Sequence, residues 1–250
     1  MRYFLEISYF GGAFHGWQVQ PNALSVQEVI NDALSKKLRG KIECTGSGRT
    51  DTGVHALMQI AHFDSKEIDD TRDFLFQMNS LLPKEISAND IYPVADGASA
   101  RFDAISRSYI YKIHQRKDPF LTEYSHRFSR KLDLDLMNAA CELFKNWQDF
   151  QAFSKVHTDV KTFDCEISEA IWKQENDQLI FCVTANRFLR GMVRAIVGTM
   201  MDVGENKISL DGFQSILESM DRKQAGRSAP AHGLYLSDIK YPKHIRIGTS

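Results

Sequence analysis

The chain has 250 residues, with 31 Lys and Arg against 32 Asp and Glu. Hydrophobic residues make up 43% and charged residues 25%, the proportions of a folded chain, which excludes wholesale disorder. A net charge of −1 excludes a globally basic nucleic-acid coat but leaves room for local basic faces.

Residues 3–9 alternate in the period of a strand, and Gly11 and Gly12 end it. Ser25 and Glu28 form a capping box, and Val26, Val29, Ile30, Ala33 and Leu34 continue it as a helix to about Leu38. A glycine-rich loop, Thr45-Gly46-Ser47-Gly48, leads into Arg49-Thr50-Asp51-Thr52-Gly53. Residues 56–64 read as a strand, with Met58, Ile60 and His62 on one side, and 71–81 as a helix that stops before Pro83. A second strand of the first type follows at 107–114. Asp133 or Asp135 is expected to cap a helix running to about Phe144, with Leu136, Met137, Ala140 and Phe144 inward. Residues 164–173 and 178–185 flank Asn176-Asp177 as a hairpin. Asn186 is predicted to cap a helix whose apolar side holds Phe188, Leu189, Met192, Val193, Ile196, Val197 and Met200. A shorter helix starts near Asp211, and a strand closes the chain around Leu234–Ile239.

This order suggests two α+β units of weakly similar plan, divided near residues 96–106. No apolar run reaches the roughly 18 residues of a membrane span, so no membrane association is expected. The opening MRYFLEISYF enters a strand and shows no basic-then-apolar leader, which points to the cytoplasm. Cys44, Cys141, Cys165 and Cys182 form no C-x-x-C pair and no zinc-type Cys/His spacing. They are expected as reduced core residues. His62-x-Asp64 is too thin to suggest a metal, and His55 and His232 read as structural hydrogen-bonders.

Charge is distributed unevenly. Residues 36–49 hold Lys36, Lys37, Arg39, Lys41 and Arg49 against Glu43 alone, and residues 101–131 hold eight basic residues against three acidic ones. On the predicted 186–201 helix, Arg187, Arg190 and Arg194 fall at i, i+3 and i+7, one face without neighbouring acids. Such a face repels itself unless an anion or buried carboxylates oppose it.

The loop at 45–56 places an arginine and a carboxylate two residues apart among three glycines. Gly46-x-Gly48 lacks the third glycine of a dinucleotide fingerprint and precedes a strand rather than opening a helix. Asp51-Thr52-Gly53 is the triplet of aspartic proteases, whose chemistry needs a second such carboxylate, and no second triplet exists.

Gly48-Arg49-Thr50-Asp51-Thr52-Gly53-Val54-His55-Ala56 resembles the catalytic loop of the TruA family of tRNA pseudouridine synthases, which modify uridines 38–40 of the anticodon arm. Phe14-His15-Gly16-Trp17-Gln18-x-Gln20 resembles the N-terminal loop of that family. Ala100-Arg101-Phe102-Asp103-Ala104 with Arg107-Ser108-Tyr109-Ile110-Tyr111 resembles its second motif. The run from Asn186 to Gly198 resembles the third, and Ala229-Pro230-Ala231-His232-Gly233-Leu234-Tyr235-Leu236 the last. Five ordered blocks cover essentially the whole chain. Two positions depart: Thr52 stands where the family most often has alanine, and Phe10 where it usually has aspartate.

The resemblance implies an α+β pseudouridine synthase fold, two similar halves around a central antiparallel sheet with the active-site cleft between them. It implies residues 1–103 as the half carrying the Asp51 loop and 104–250 as the half carrying the Tyr109 strand, the arginine helix and the last motif. Asp51 is then the essential catalytic residue, Arg194 the cation that pairs with it, and Tyr109 the residue that stacks on the flipped uridine or assists at C5. Arg49, Arg107, Arg187 and Arg190 are implied RNA contacts, and Leu234 a wall of the base pocket. The implied partner is tRNA, the active form a homodimer, and no cofactor or metal is expected. The alternative is a non-catalytic tRNA- or RNA-binding protein on the same scaffold.

Overall fold

The computed structural model describes residues 1–155 and 161–247. In chain order the strands and helices are β1 (Arg2–Tyr9), α1 (Val26–Leu38), β2 (Thr45–Gly46), β3 (His55–Asp64), α2 (Thr71–Leu81), β4 (Ile86–Val94), β5 (Ser106–His114), β6 (His126–Arg127), α3 (Leu134–Glu142), β7 (Ile167–Glu175), β8 (Gln178–Ala185), α4 (Met192–Gly204), α5 (Leu210–Ser219) and β9 (Leu234–Lys240). They form two compact units. The first joins Met1–Ile105 with Tyr235–Ser250, and the second is Ser106–Leu234. The closing strand therefore returns to the first unit, where the sequence reading kept it with the second half.

In the first unit β1 lies between β3 and β4, antiparallel to both, and β9 pairs in parallel with the start of β3. Ser25 caps α1 by accepting from the Glu28 amide at 3.3 Å, and Asp70 caps α2 by accepting from Arg72 and Asp73. Leu82 is extended ahead of Pro83, which ends α2 as expected. Strand β3 does not alternate between core and solvent. Ile60 is buried on one face and Gln59, Ala61 and Phe63 on the other, because Phe63 stacks between Tyr3 and the α2 residue Phe74. Strand β4 has no counterpart in the sequence reading. Pro93 and two charged or amide residues, Asn89 and Asp90, hide its strand pattern.

In the second unit β8 lies between β5 and β7, antiparallel to both. The β7–β8 turn is the predicted Asn176-Asp177 pair, with Asn176 left-handed at φ 53°. Asp133 caps α3, and the Asn138 side chain exchanges two hydrogen bonds with the Trp172 backbone, fastening α3 to β7. Both units share a plan: an opening strand, a helix, then an antiparallel partner of the opening strand that feeds the next helix. Pairing is mostly antiparallel.

Helix α4 starts later than the periodicity predicts. Gly191 has φ 72°, a left-handed conformation that stops helical hydrogen bonding behind it, and the helix begins at Met192. Asn186 is not its cap; its side-chain oxygen accepts from the Glu166 amide instead. Among the described residues no helix is long and apolar enough to cross a membrane. Cys44, Cys141 and Cys165 are buried and Cys182 half-buried, all as free thiols. Burial pushes Cys44 and Cys141 up to about 12, so neither ionises at neutral pH.

Candidate active site

The Arg49–Gly53 turn is fixed from both sides within the first unit. The buried Thr50 hydroxyl lies 2.8 Å from the Tyr9 hydroxyl, and the Thr50 carbonyl accepts from the Trp17 amide at 3.2 Å. Behind it, Ser47 and the Gly48 carbonyl are both held by the fully buried Gln59 side chain. Ahead of it, the Val54 amide donates to the Asp51 carbonyl at 3.1 Å. Gly16 brings the N-terminal loop onto this turn: its φ is 87°, and a Cβ there would stand 2.6 Å from the Thr50 carbonyl oxygen. Asp51 is half-buried and Thr52 exposed on the resulting rigid tip.

Arg49 is exposed, and its Nε donates to Gln18 Oε1 at 3.2 Å. Gln18 in turn donates to Gln27, which donates to the Cys44 carbonyl. This amide relay steers an arginine that would otherwise sample many rotamers. His55 is structural as expected: it accepts from the Gly11 amide at 3.0 Å and stacks on Tyr235 at 4.6 Å. Phe10 packs its ring against His55 at 5.0 Å, so apolar contact occupies the position where an acid was expected.

The other candidates lie in the second unit. Tyr109 on β5 is half-buried, and its ring meets Phe188 edge-on at 5.1 Å. Arg107 donates through Nη1 to the Asn186 carbonyl at 3.1 Å. Strand β5 and the 186–191 segment are thus brought together. The single arginine face is not formed. Arg187 and Arg190 precede α4 and only Arg194 belongs to it, because left-handed Gly191 breaks the periodicity that aligned them. Arg194 stands in the first turn of α4. The helix dipole is positive at that end, so dipole and guanidinium together favour an anion. Arg194 Nε donates to the Ala229 carbonyl at 2.7 Å. Leu234 is buried at the start of β9. Burial, then His114 and Arg194, hold the His232 imidazole below its ordinary range.

The basic segments are partly neutralised. Lys36 pairs with Asp32 at 2.6 Å, Lys41 with Glu43 at 2.8 Å, and Lys37 lies 3.9 Å from Asp73. Within 36–49 this leaves Arg39, which forms the left-handed C-cap of α1, and Arg49 as the cations without an acidic partner among the described residues. Among 101–131, Arg130 pairs with Glu205.

Several residues that build the site had no role assigned to them from sequence: Tyr9, Trp17, Gln27, Gln59 and Phe188. Gln59 carried a usable signal, an amide inside an otherwise apolar strand. The others look like ordinary core or surface residues until the chain is folded.

The chain matches the family model described as tRNA pseudouridine synthase over residues 7–103 and 140–242. It is 47% identical over 245 residues to a tRNA pseudouridine synthase A of Parabacteroides distasonis, covering 98% of this chain and 97% of the relative. It is 45% identical over 247 residues to that of Bacteroides thetaiotaomicron, covering 98% and 92%. The Bacillus subtilis protein of the same name is 38% identical over 245 residues, covering 96% and 99%.

Proposed function

The chain belongs to the tRNA pseudouridine synthase family, and from that membership we propose that it converts uridine to pseudouridine at positions 38, 39 and/or 40 of the tRNA anticodon stem-loop. The family makes it an isomerase. The N1–C1′ bond breaks, the base turns, and C1′ joins C5. C5 loses a proton and N1 gains one, so atoms and electrons balance within the nucleotide.

The observation that carries this reading is the build of the Asp51 turn. Tyr9, Trp17 and Gln59 fix the backbone on either side of one half-exposed carboxylate. Catalysis by a charged group profits when the protein has oriented it before the substrate arrives. In this reading Asp51 acts at the base–sugar junction and Arg194 is the cation that pairs with it. Tyr109 lies under the flipped base and serves C5. Arg49, Arg107, Arg187 and Arg190 hold phosphates, and Leu234 lines the base pocket. A target inside a stem-loop must leave its stack to be reached, and a flat aromatic such as Tyr109 compensates for the stacking lost. The active form is a cytoplasmic homodimer acting on one tRNA with both subunits.

The test is tritium release from tRNA carrying 5-tritiated uridine, with wild type and Asp51→Asn side by side. Wild type should release tritium, and Asp51→Asn should bind tRNA yet release none. Release by Asp51→Asn at the wild-type rate sinks the assignment. No release from either protein, with tRNA bound, would make the chain a binder without this chemistry. Mapping pseudouridine in the product tRNA decides the positions.

A further inference from the structure

Arg194 is not held by its own helix alone. The Ala229 peptide grips it twice: the Ala229 amide donates to the Arg194 carbonyl at 2.9 Å, and the Ala229 carbonyl accepts from Arg194 Nε at 2.7 Å. Engaging Nε fixes the plane of the guanidinium and so the direction of its two terminal amino groups. The next carbonyl along, that of Pro230, accepts from the Tyr111 hydroxyl at 2.9 Å. Tyr111 is fully buried on β5, two residues from Tyr109 and on the same side of the strand.

We propose that Tyr111 is a positioning residue for Arg194, acting through the Ala229–Pro230 backbone. The inference rests on the reading that Arg194 works at the uridine.

Three features make this backbone a stiff link. Pro230 locks its own φ, observed at −54°, and holds Ala229 to extended conformations, so the direction of the Ala229 carbonyl follows from where Pro230 is pinned. Tyr111 does the pinning. Gly233 lets the returning chain lie on the Tyr111 ring, since a Cβ there would stand 2.7 Å from the ring's Cζ. Burial also pushes the Tyr111 phenol far above its ordinary range, so it remains a neutral donor at every working pH. It contributes geometry and takes no part in proton transfer. Tyr109 and Tyr111, neighbours on one face of β5, thereby divide the work: one meets the base and the other aims the cation.

The experiment is a cycle of four proteins: wild type, Tyr111→Phe, Arg194→Lys and the double variant. Single-turnover tritium release and tRNA affinity are measured for each. Tyr111→Phe keeps the ring and loses only the hydroxyl. It should release tritium about tenfold more slowly with tRNA affinity within about twofold, the pattern of an interaction used in the reaction rather than in binding. Arg194→Lys keeps the charge but loses the planar Nε contact, and in that background Tyr111→Phe should cost nothing further. A wild-type rate for Tyr111→Phe overturns the proposal, as does an equal loss in both backgrounds. A wild-type rate for Arg194→Lys removes the premise about Arg194 and the inference with it, while leaving the Asp51 result standing.

Two further measurements guard against a variant that misfolds. Pro230→Ala leaves Tyr111 intact and should slow release in the same way. In arginine Nε–H spectra, exchange at Arg194 should quicken in Tyr111→Phe; unchanged exchange in a folded variant overturns the proposal without reference to activity.

Discussion

Tyr109 and Tyr111 show one residue type placed by the fold in two different surroundings. Tyr111 is sealed in, and its hydroxyl is satisfied by a carbonyl 119 residues away in the chain. Tyr109 is half-buried and braced edge-on by Phe188. If the Tyr109 hydroxyl serves C5, Tyr109→Phe should keep tRNA affinity and slow single-turnover release by at least about 100-fold, the usual scale of positioned acid–base help. A near-normal rate would leave Tyr109 only its stacking role. From sequence, a strand tyrosine is by default a core residue, and the motif alone directed attention to Tyr109. Tyr111 closes the same motif, but its hydrogen-bond partner lies in a segment that only folding brings near.

At the scale of elements, caps and turns were legible and a helix start was not. Ser25 caps α1 as its sequence foretells, and of the two aspartates open to cap α3 it is Asp133 that does so, because a cap depends on three or four consecutive residues. The start of α4 was misplaced because apolar spacing runs on through Phe188 and Leu189, while the deciding event is the left-handed turn at Gly191. The short strand β6 carries a prediction of its own. His126 faces Tyr111, Phe128 and His232, with ring centres 6.0 to 6.5 Å away. Burial, then His232 and His114, push it from 6.5 down to about 4. The fold thus holds His126 neutral while the unfolded chain takes up a proton between those values. Stability from this group is complete above the unfolded pKa and is lost as pH falls from 6.5 towards 4. His126→Phe should therefore shrink the drop in urea midpoint between neutral and mildly acid pH. An undiminished drop would show that other groups cause it.

For the whole molecule, the net charge of −1 conceals where cations are available. Three of the lysines counted near residues 36–49 have carboxylates within 4 Å, so that segment offers RNA less than its composition suggests. The arginines named as phosphate contacts, Arg49, Arg107, Arg187 and Arg190, are instead spread over both units. With about four phosphates contacted, tRNA affinity should fall on the order of 10²-fold between about 50 and 200 mM salt. A flat response in a filter-binding titration would remove the arginine footprint.

By itself the sequence determined most strand and helix positions, the Ser25 cap, the hairpin turn and the Asp51 loop, because each depends on residues close together in the chain. The tertiary structure alone decided that β9 joins the first unit, that the arginines of the third motif do not share a helix face, and that Tyr111 reaches Arg194 through Ala229 and Pro230. These outcomes depend on contacts between distant segments. Local propensity is indifferent to such contacts, and close packing selects among them only once the chain has closed on itself.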